Sequence, residues 1–342
     1  MAVSSGAGPH LAWVSVNGAL FPLEHGSAEQ TATRKSATFS GDVPLSYPGA
    51  EATFATLGAN TASVIVSTRG VSAPLVSGEI DTADIDYVDR VIKFSGRDQS
   101  AMLHAVKSSE KWTNLPGSQI VQQLAGRVGL GAQVDPSLLL AGKQVQIDYA
   151  KMTDGISYAA VIHKLAEFDG ARWYVKNGTL IYQALANAAG IYTLNYVPPN
   201  SGSPMAADFL NLRVRRNIQA GKSINVTVKS WNPKQKQVFQ DQSNVQGSGS
   251  SQNYVYHIPN LLQDHVTQHA KAKANEAARH ELTLDAELVG DPSIDVAMDL
   301  VLSGTGFFDQ AYQMDSIHHE FGMGGHRMTI TAKSAKSGRQ AS

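Results

Sequence analysis

Four residues near the C-terminal end are the first place to look for chemistry: His318-His319-Glu320 and, a few positions on, His326. A zinc peptidase helix needs H-E-x-x-H, in which two imidazoles one turn apart face the metal and the Glu activates water. Counting on from His319-Glu320, the partner position holds Met323, and Phe321-Gly322-Met323-Gly324-Gly325 would break any helix. The segment reads instead as a hairpin turn between strands, on which His318 and His319 point to opposite faces. A second pair, His265 and His269, has i,i+4 spacing but no third ligand nearby, and reads as a solvated helix face. Glu79, Asp81, Asp84, Asp86 and Asp89 lack the D-x-D-x-D-G spacing that wraps a loop around calcium. They read as a solvated or partner-facing acidic connection between two strands. Gly126, Gly129 and Gly131 follow a helix rather than a strand, so they make no dinucleotide fingerprint. Neither a G-x-x-x-x-G-K-[ST] phosphate loop nor a G-x-S-x-G elbow occurs. No residue is therefore assigned a catalytic, cofactor-binding or metal-binding role.

Composition narrows the field further. The 342 residues carry 28 Lys+Arg against 29 Asp+Glu, a net charge of −1, which argues against a dedicated nucleic-acid coat. With no cysteine, disulfide frameworks, thiolate nucleophiles and Cys-based zinc sites are all excluded. Charged residues are 17% of the chain, below the usual quarter or so, and Gly and polar uncharged residues fill the gap. At 42% hydrophobic the chain is not of the disordered type. No basic residue precedes Arg34 and the longest aliphatic run is 138–141, so neither a signal peptide nor a membrane span is expected. The balanced total hides an uneven distribution. Residues 209–240 hold seven bases (Arg213, Arg215, Arg216, Lys222, Lys229, Lys234, Lys236) and no acid, whereas 78–98 hold six acids against three bases. In a ring of copies, such opposites would complement one another across subunits. Only Trp231 and Phe239 lie among the bases as aromatics, so no stacking platform for nucleic acid is evident.

The elements that would carry these residues fall into three parts. The first hundred residues read as strands, with Asn17-Gly18 as a hairpin signal and no convincing helix. From Asp98, a plausible N-cap, the texture becomes α+β. Helices are expected at 99–107, from Ser118 to Gly129, and from Thr153 or Asp154 to Gly170, with a second hairpin at Asn177-Gly178. After a Pro/Gly-rich linker at 198–204, strands return at 212–216 and 224–228. A polar loop is expected over 240–253, then a long Ala-rich helix over 260–280 capped by Asn260. Strands at 282–288, 296–302, 310–321 and 327–332 follow, and 333–342 reads as a frayed basic tail. The expected class is α+β, β-dominated, with domains at 1–97, 98–190 and 191–342.

Two of these segments in succession carry a family likeness. Gly78-Glu79-Ile80-Asp81 followed by Val91-Ile92-Lys93-Phe94-Ser95-Gly96-Arg97-Asp98 resembles the G-x-I-D … G-R-D signature of phage tail hub proteins, the late control protein D family. Lys229-Ser230-Trp231-Asn232-Pro233, Val289-Gly290-Asp291-Pro292 and the segment from Gln310 to Phe321 are similar to that family's second half, in order and across nearly the whole chain. The resemblance implies two tube-like antiparallel β-barrels with an inserted α+β module. It implies a homotrimeric baseplate hub that joins the tail tube to the central spike, touches other baseplate proteins and leaves a channel through which DNA passes. Such a protein is made in the bacterial cytoplasm, ends in the virion tail, inserts in no membrane, needs no cofactor and catalyses nothing. The alternative is a metal-dependent cell-wall hydrolase using His318, His319, Glu320 and His326. A nucleic-acid-binding protein using the basic run is a third reading.

Overall fold

A computed structural model of the chain describes residues 11–335 apart from 33–34, 59–60, 69, 109–111, 113–114, 138–139, 142–154, 186, 201, 234 and 248–249. Both Asn-Gly pairs make two-residue hairpins. Asn17 and Gly18 have φ of 50° and 87°, and Asn177 and Gly178 have 47° and 75°, the left-handed values that a tight turn between twisted strands demands. The class is α+β and strand-dominated, as expected.

The first β region runs in the order His25–Thr31, Thr38–Pro44, Val91–Asp98, Val71–Asp86, Thr61–Thr68, Leu11–Val16, Ala19–Pro22, all antiparallel. The second contains Ala311–Gly322, Gly325–Ser334, Leu282–Val289 and Asn211–Arg216 in antiparallel succession, with Asp299–Ser303 and Ile191–Val197 on a side branch. The two regions are not separate sheets. His25–Thr31 pairs with residues 316–322 of the strand Ala311–Gly322, and a bulge between Met314 and Ser316 turns that strand's first half towards Asp299–Ser303 instead. Each region contributes to the other's core. Phe321 packs among Phe39, Phe94 and Val64 of the first, while Ala32 packs among Leu284, Ile317 and Ile330 of the second.

Between these regions, the helices Ser100–Ala105, Gly117–Arg127 and Tyr158–Asp169 pack on a small sheet of Gly131–Val134, Thr179–Ala184 and Ala171–Lys176. Ser157 caps the third helix, its hydroxyl accepting from the Ala160 N–H, and Gly170 ends it at φ 63°. The expected start of that helix at Thr153 or Asp154 lies outside the described residues, as do 336–342 of the basic tail. Lys333, by contrast, belongs to the last strand.

Several expectations are corrected. A short helix, Ala50–Ala55, buries Ala50 and Phe54 within the supposedly all-strand part; six residues are too few to display a helical period. Glu79, Asp81, Asp84 and Asp86 lie on the strand Val71–Asp86 itself, and only Asp89 is in the turn. The polar loop is largely strand: Gln237–Val245 and Gln252–His257 flank Ile224–Asn232 in a three-stranded sheet. The long helix spans Gln263–Arg279, and Asn260 does not cap it but sits before it at φ 67°. Its buried face carries Val266, Ala270, Ala274 and Ala278 together with His265 and His269, so that pair is not solvated. This helix and its three-stranded sheet share one hydrophobic core with the helices of 100–169.

At the joint between regions, Gly26 is paired directly with Phe321. A Cβ at Gly26 would stand 2.3 Å from Phe321 Cε2 and 2.8 Å from the Ser40 carbonyl oxygen, so the ring lies on bare backbone. Gly26→Ala is expected to cost about 1–3 kcal/mol in urea unfolding, the usual cost of overpacking. Gly126, in a helix with open space around it, is the control. Gly126→Ala should leave stability unchanged or raise it by up to about 1 kcal/mol.

Candidate functional site

The signature segment is a close crossing of two strands. A Cβ at Gly78 would fall 1.9 Å from the Arg97 carbonyl oxygen, and one at Gly96 would fall 2.3 Å from the Glu79 oxygen and 2.5 Å from Phe39. Side chains at either position would force Val71–Asp86 and Val91–Asp98 apart. Across the same crossing, Arg97 makes a bidentate pair with Asp81, Nε to Oδ2 at 2.7 Å and Nη2 to Oδ1 at 2.9 Å. That hydrogen bond, more than its charge, lowers the Asp81 pKa. Asp98 is buried and takes the Ser100 hydroxyl at 2.5 Å and the Ser100 N–H at 3.2 Å on Oδ1, turning the chain into the helix Ser100–Ala105. Burial lifts its pKa to about 6, against those hydrogen bonds. Gly78, Gly96, Asp81 and Arg97 thus fix strand geometry, and Asp98 lines only a small cavity of about 40 Å³ beside Tyr174 and Asp295.

The other similar segments do comparable work. Ser230 is buried, its hydroxyl accepting from the Leu261 N–H at 2.8 Å, and Asn232 Oδ1 accepts from the Gln235 N–H. Gly290 lies beneath the His326 ring, where a Cβ would be 2.0 Å from Cγ, and its N–H donates to the His326 carbonyl at 2.7 Å.

The candidate histidines divide between two faces. His318 and Glu320 point outward, 3.4 Å apart, whereas His319 and His326 are fully buried. The four therefore do not converge on one point, and among the described residues no group of three or more His, Asp or Glu is placed to hold a metal. His319 Nδ1 lies 3.0 Å from His326 Nε2, and His326 Nδ1 lies 2.9 Å from Thr68 Oγ1. Protons placed so that no buried N–H is stranded have each ring donating through Nδ1, His319 to His326 and His326 to Thr68. This chain of bonds ties the last hairpin to a strand of the first β region. Sequence pattern gave the opposite faces of His318 and His319, but nothing local could indicate Thr68.

His269 stacks on Phe168 with ring centroids 4.8 Å apart, tying the long helix to the helix Tyr158–Asp169. Burial, and then Lys273, push its pKa down to about 4. Where these helices meet the second β region, a cleft of about 430 Å³ is lined by Arg172, Arg279, Asp315 and Lys333. Arg172 is 5% exposed and donates from Nη2 to the carbonyls of Asn187, at 3.0 Å, and Ala297, at 2.7 Å. Lys333 pairs with Asp315 at 2.6 Å. The cleft is a three-way structural junction.

No protein-family model matches the sequence, and no curated protein matches it. Solved structures do. A tail protein from Neisseria meningitidis MC58 superposes over 95% of this chain and 96% of its own, with a TM-score of 0.68 at 13% identity. This chain has the fold of a phage tail protein. The 43 kDa tail protein of prophage MuSo2 from Shewanella oneidensis matches that tail-protein fold equally well, over 95% and 98% of the two chains, with a TM-score of 0.68 at 14% identity. A type VI secretion system component from E. coli, with structural similarity to the T4 bacteriophage tail proteins gp27 and gp5, covers 94% of this chain and 76% of its own, at a TM-score of 0.58 and 7% identity. At such identities the likeness concerns the fold alone.

Burial is the main cause that depresses the His319 pKa, to about 3 from 6.5, with the neighbouring His326 and His318 adding to it. The folded state therefore keeps this ring neutral while the unfolded chain protonates it. Its contribution to stability is complete above about 6.5 and is lost as pH falls towards about 3. Asp98 acts with the opposite sign, but equally in any variant elsewhere. Stability measured between about pH 6 and about pH 4 should fall more steeply for the native chain than for His319→Gln, by about 1.4 kcal/mol per pH unit at the limit of one proton. Equal slopes would show that the ring is not held neutral.

Proposed function

We propose that this chain is a structural hub of a bacteriophage or phage-like tail. Three copies form a ring in which each supplies two tube-like β-barrels, one on either side of the helical module. The ring links the tail tube to the central spike, contacts other baseplate proteins and leaves a channel for DNA. It resides in the virion tail after synthesis in the host cytoplasm. The observation that carries this reading is the tail-protein fold spanning nearly the whole chain at full-length overlap with two tail proteins. The signature residues support it, since Gly78, Gly96, Asp81 and Arg97 hold two strands together rather than line a site. Among the described residues no helix is long and apolar enough to cross a membrane.

The role is non-enzymatic in this reading. A hydrolase would need His318, His319, Glu320 and His326 around one metal, and they face two sides of a sheet. The basic run fares no better as a nucleic-acid platform, because Arg216 is paired with Glu281 and Phe239 packs against a core.

Sedimentation of the purified protein should reveal a species of three times the 36.5 kDa chain mass, and negative-stain images should show rings. A monomer that persists at high concentration, with no ring in the images, would overturn the proposal.

A further inference from the structure

Eight strands form one unbroken antiparallel succession through the joint: Val71–Asp86, Val91–Asp98, Thr38–Pro44, His25–Thr31, Ala311–Gly322, Gly325–Ser334, Leu282–Val289 and Asn211–Arg216. Among the described residues, both ends of the succession have a free edge. The neighbour Thr61–Thr68 stops at Glu79, so residues 82–86 keep only their ladder to 91–95. Among the described residues Asn211–Arg216 pairs only with Leu282–Val289. Free edges are templates for further pairing, and charges on them decide what can pair.

The two edges alternate in the same way with opposite signs. One reads Asp84-Ile85-Asp86 and the other Arg213-Val214-Arg215. Ile85 packs against the core of the first β region and Val214 against that of the second, so acids and arginines both lie on the side away from the cores. Among the described residues Asp84, Arg213 and Arg215 make no ion pair, although Asp84 lies across from Lys93 and Arg213 across from Asp285 in their own ladders, whereas Arg216 is already held by Glu281 and the Phe307 ring. Because the succession has an even number of strands, its two end strands run in opposite directions. A second copy, turned about an axis that keeps strand direction, therefore offers its Asn211–Arg216 antiparallel to the first copy's 82–86.

We infer that the head-to-tail contact between copies is this edge-to-edge pairing, with Asp84 opposite Arg215, Ile85 opposite Val214 and Asp86 opposite Arg213. It rests on the ring reading above and names the surfaces that would close it. In this register every acid meets an arginine and the apolar residues meet one another. Cross-strand pairs of this kind are the unit of sheet stabilisation, and a contact that joins two different edges generates a ring when its rotation closes. Charges whose only task was to keep edges apart would not need opposite signs in matching alternation.

The cysteine-free chain makes the test clean. The variant Asp84→Cys/Arg215→Cys places thiols directly opposite, within reach of a disulfide. Oxidation with copper phenanthroline should give covalent dimers and then trimers on a non-reducing gel. Asp84→Cys/Arg213→Cys, two residues out of register, should link several-fold less. Separately, Arg215→Glu should weaken association roughly three- to tenfold, and Asp84→Arg/Arg215→Glu should restore it. If the native protein sediments as an oligomer but the in-register variant links no better than the offset one, this pairing is wrong and the ring reading stands. If the native protein is monomeric throughout and nothing links, both fail.

Discussion

The ladder between His25–Thr31 and the second half of Ala311–Gly322 is the constraint on which the rest depends. It joins residues nearly three hundred positions apart, and loop-closure entropy opposes such contacts until packing offsets it. Packing does so on the inner face of the joint. Phe321 lies on Gly26 and edge-on to His326, with ring centroids 6.4 Å apart, and His326 in turn lies on Gly290. Two glycines thus make room for two rings, and the His326–Thr68 hydrogen bond then holds the hairpin from the far side. The bulge at Met314 to Ser316 lets a single strand serve both this joint and the side branch. Without it, one half or the other would present the wrong face to its core.

A second consequence concerns the helical module. The long helix comes after the strands Asn211–Arg216 and Ile224–Asn232 in sequence, yet its small-residue face packs with the helices of 100–169. Alanines at 270, 274 and 278 allow close approach, and His269 on Phe168 completes the contact. Arg172 then ties the module to the second β region through the Ala297 carbonyl while also holding the carbonyl of Asn187 at the module's own end. An arginine with a planar fork suits this task because it can reach two acceptors from one nitrogen while its stem is buried. The module is therefore anchored at both ends rather than hung from a linker.

What was legible in the sequence was local. Asn-Gly turns, the apolar face of Gly117–Arg127 and the αL glycine after Tyr158–Asp169 each follow from chemistry within a few residues, and each was found. Alternation alone placed His318 and His319 on opposite faces. The elements that escaped lack a local signal. Gln237–Val245 is exposed along most of its length and so shows no hydrophobic alternation. Val71–Asp86 continues through residues of poor strand propensity because Val91–Asp98 pairs with it there. His265 and His269 looked solvated because their polarity hides a buried face that only the tertiary packing creates. The partner of His326 was beyond reach for the same reason: no sequence pattern links it to Thr68.

The same distinction explains why the near-zero net charge was uninformative by itself. Charge in this chain has two uses. Arg97 with Asp81, Lys333 with Asp315 and Arg216 with Glu281 are paired internally and position strands. Among the described residues Asp84, Arg213 and Arg215 are not, and they lie on the two outer edges of the strand succession. A sheet of eight antiparallel strands that ends in an acidic edge and a basic edge is unfinished in one chain and self-complementary in several. In the proposed pairing the two edges bring opposite signs that cancel, whereas a surface meant for a polyanion would carry only one.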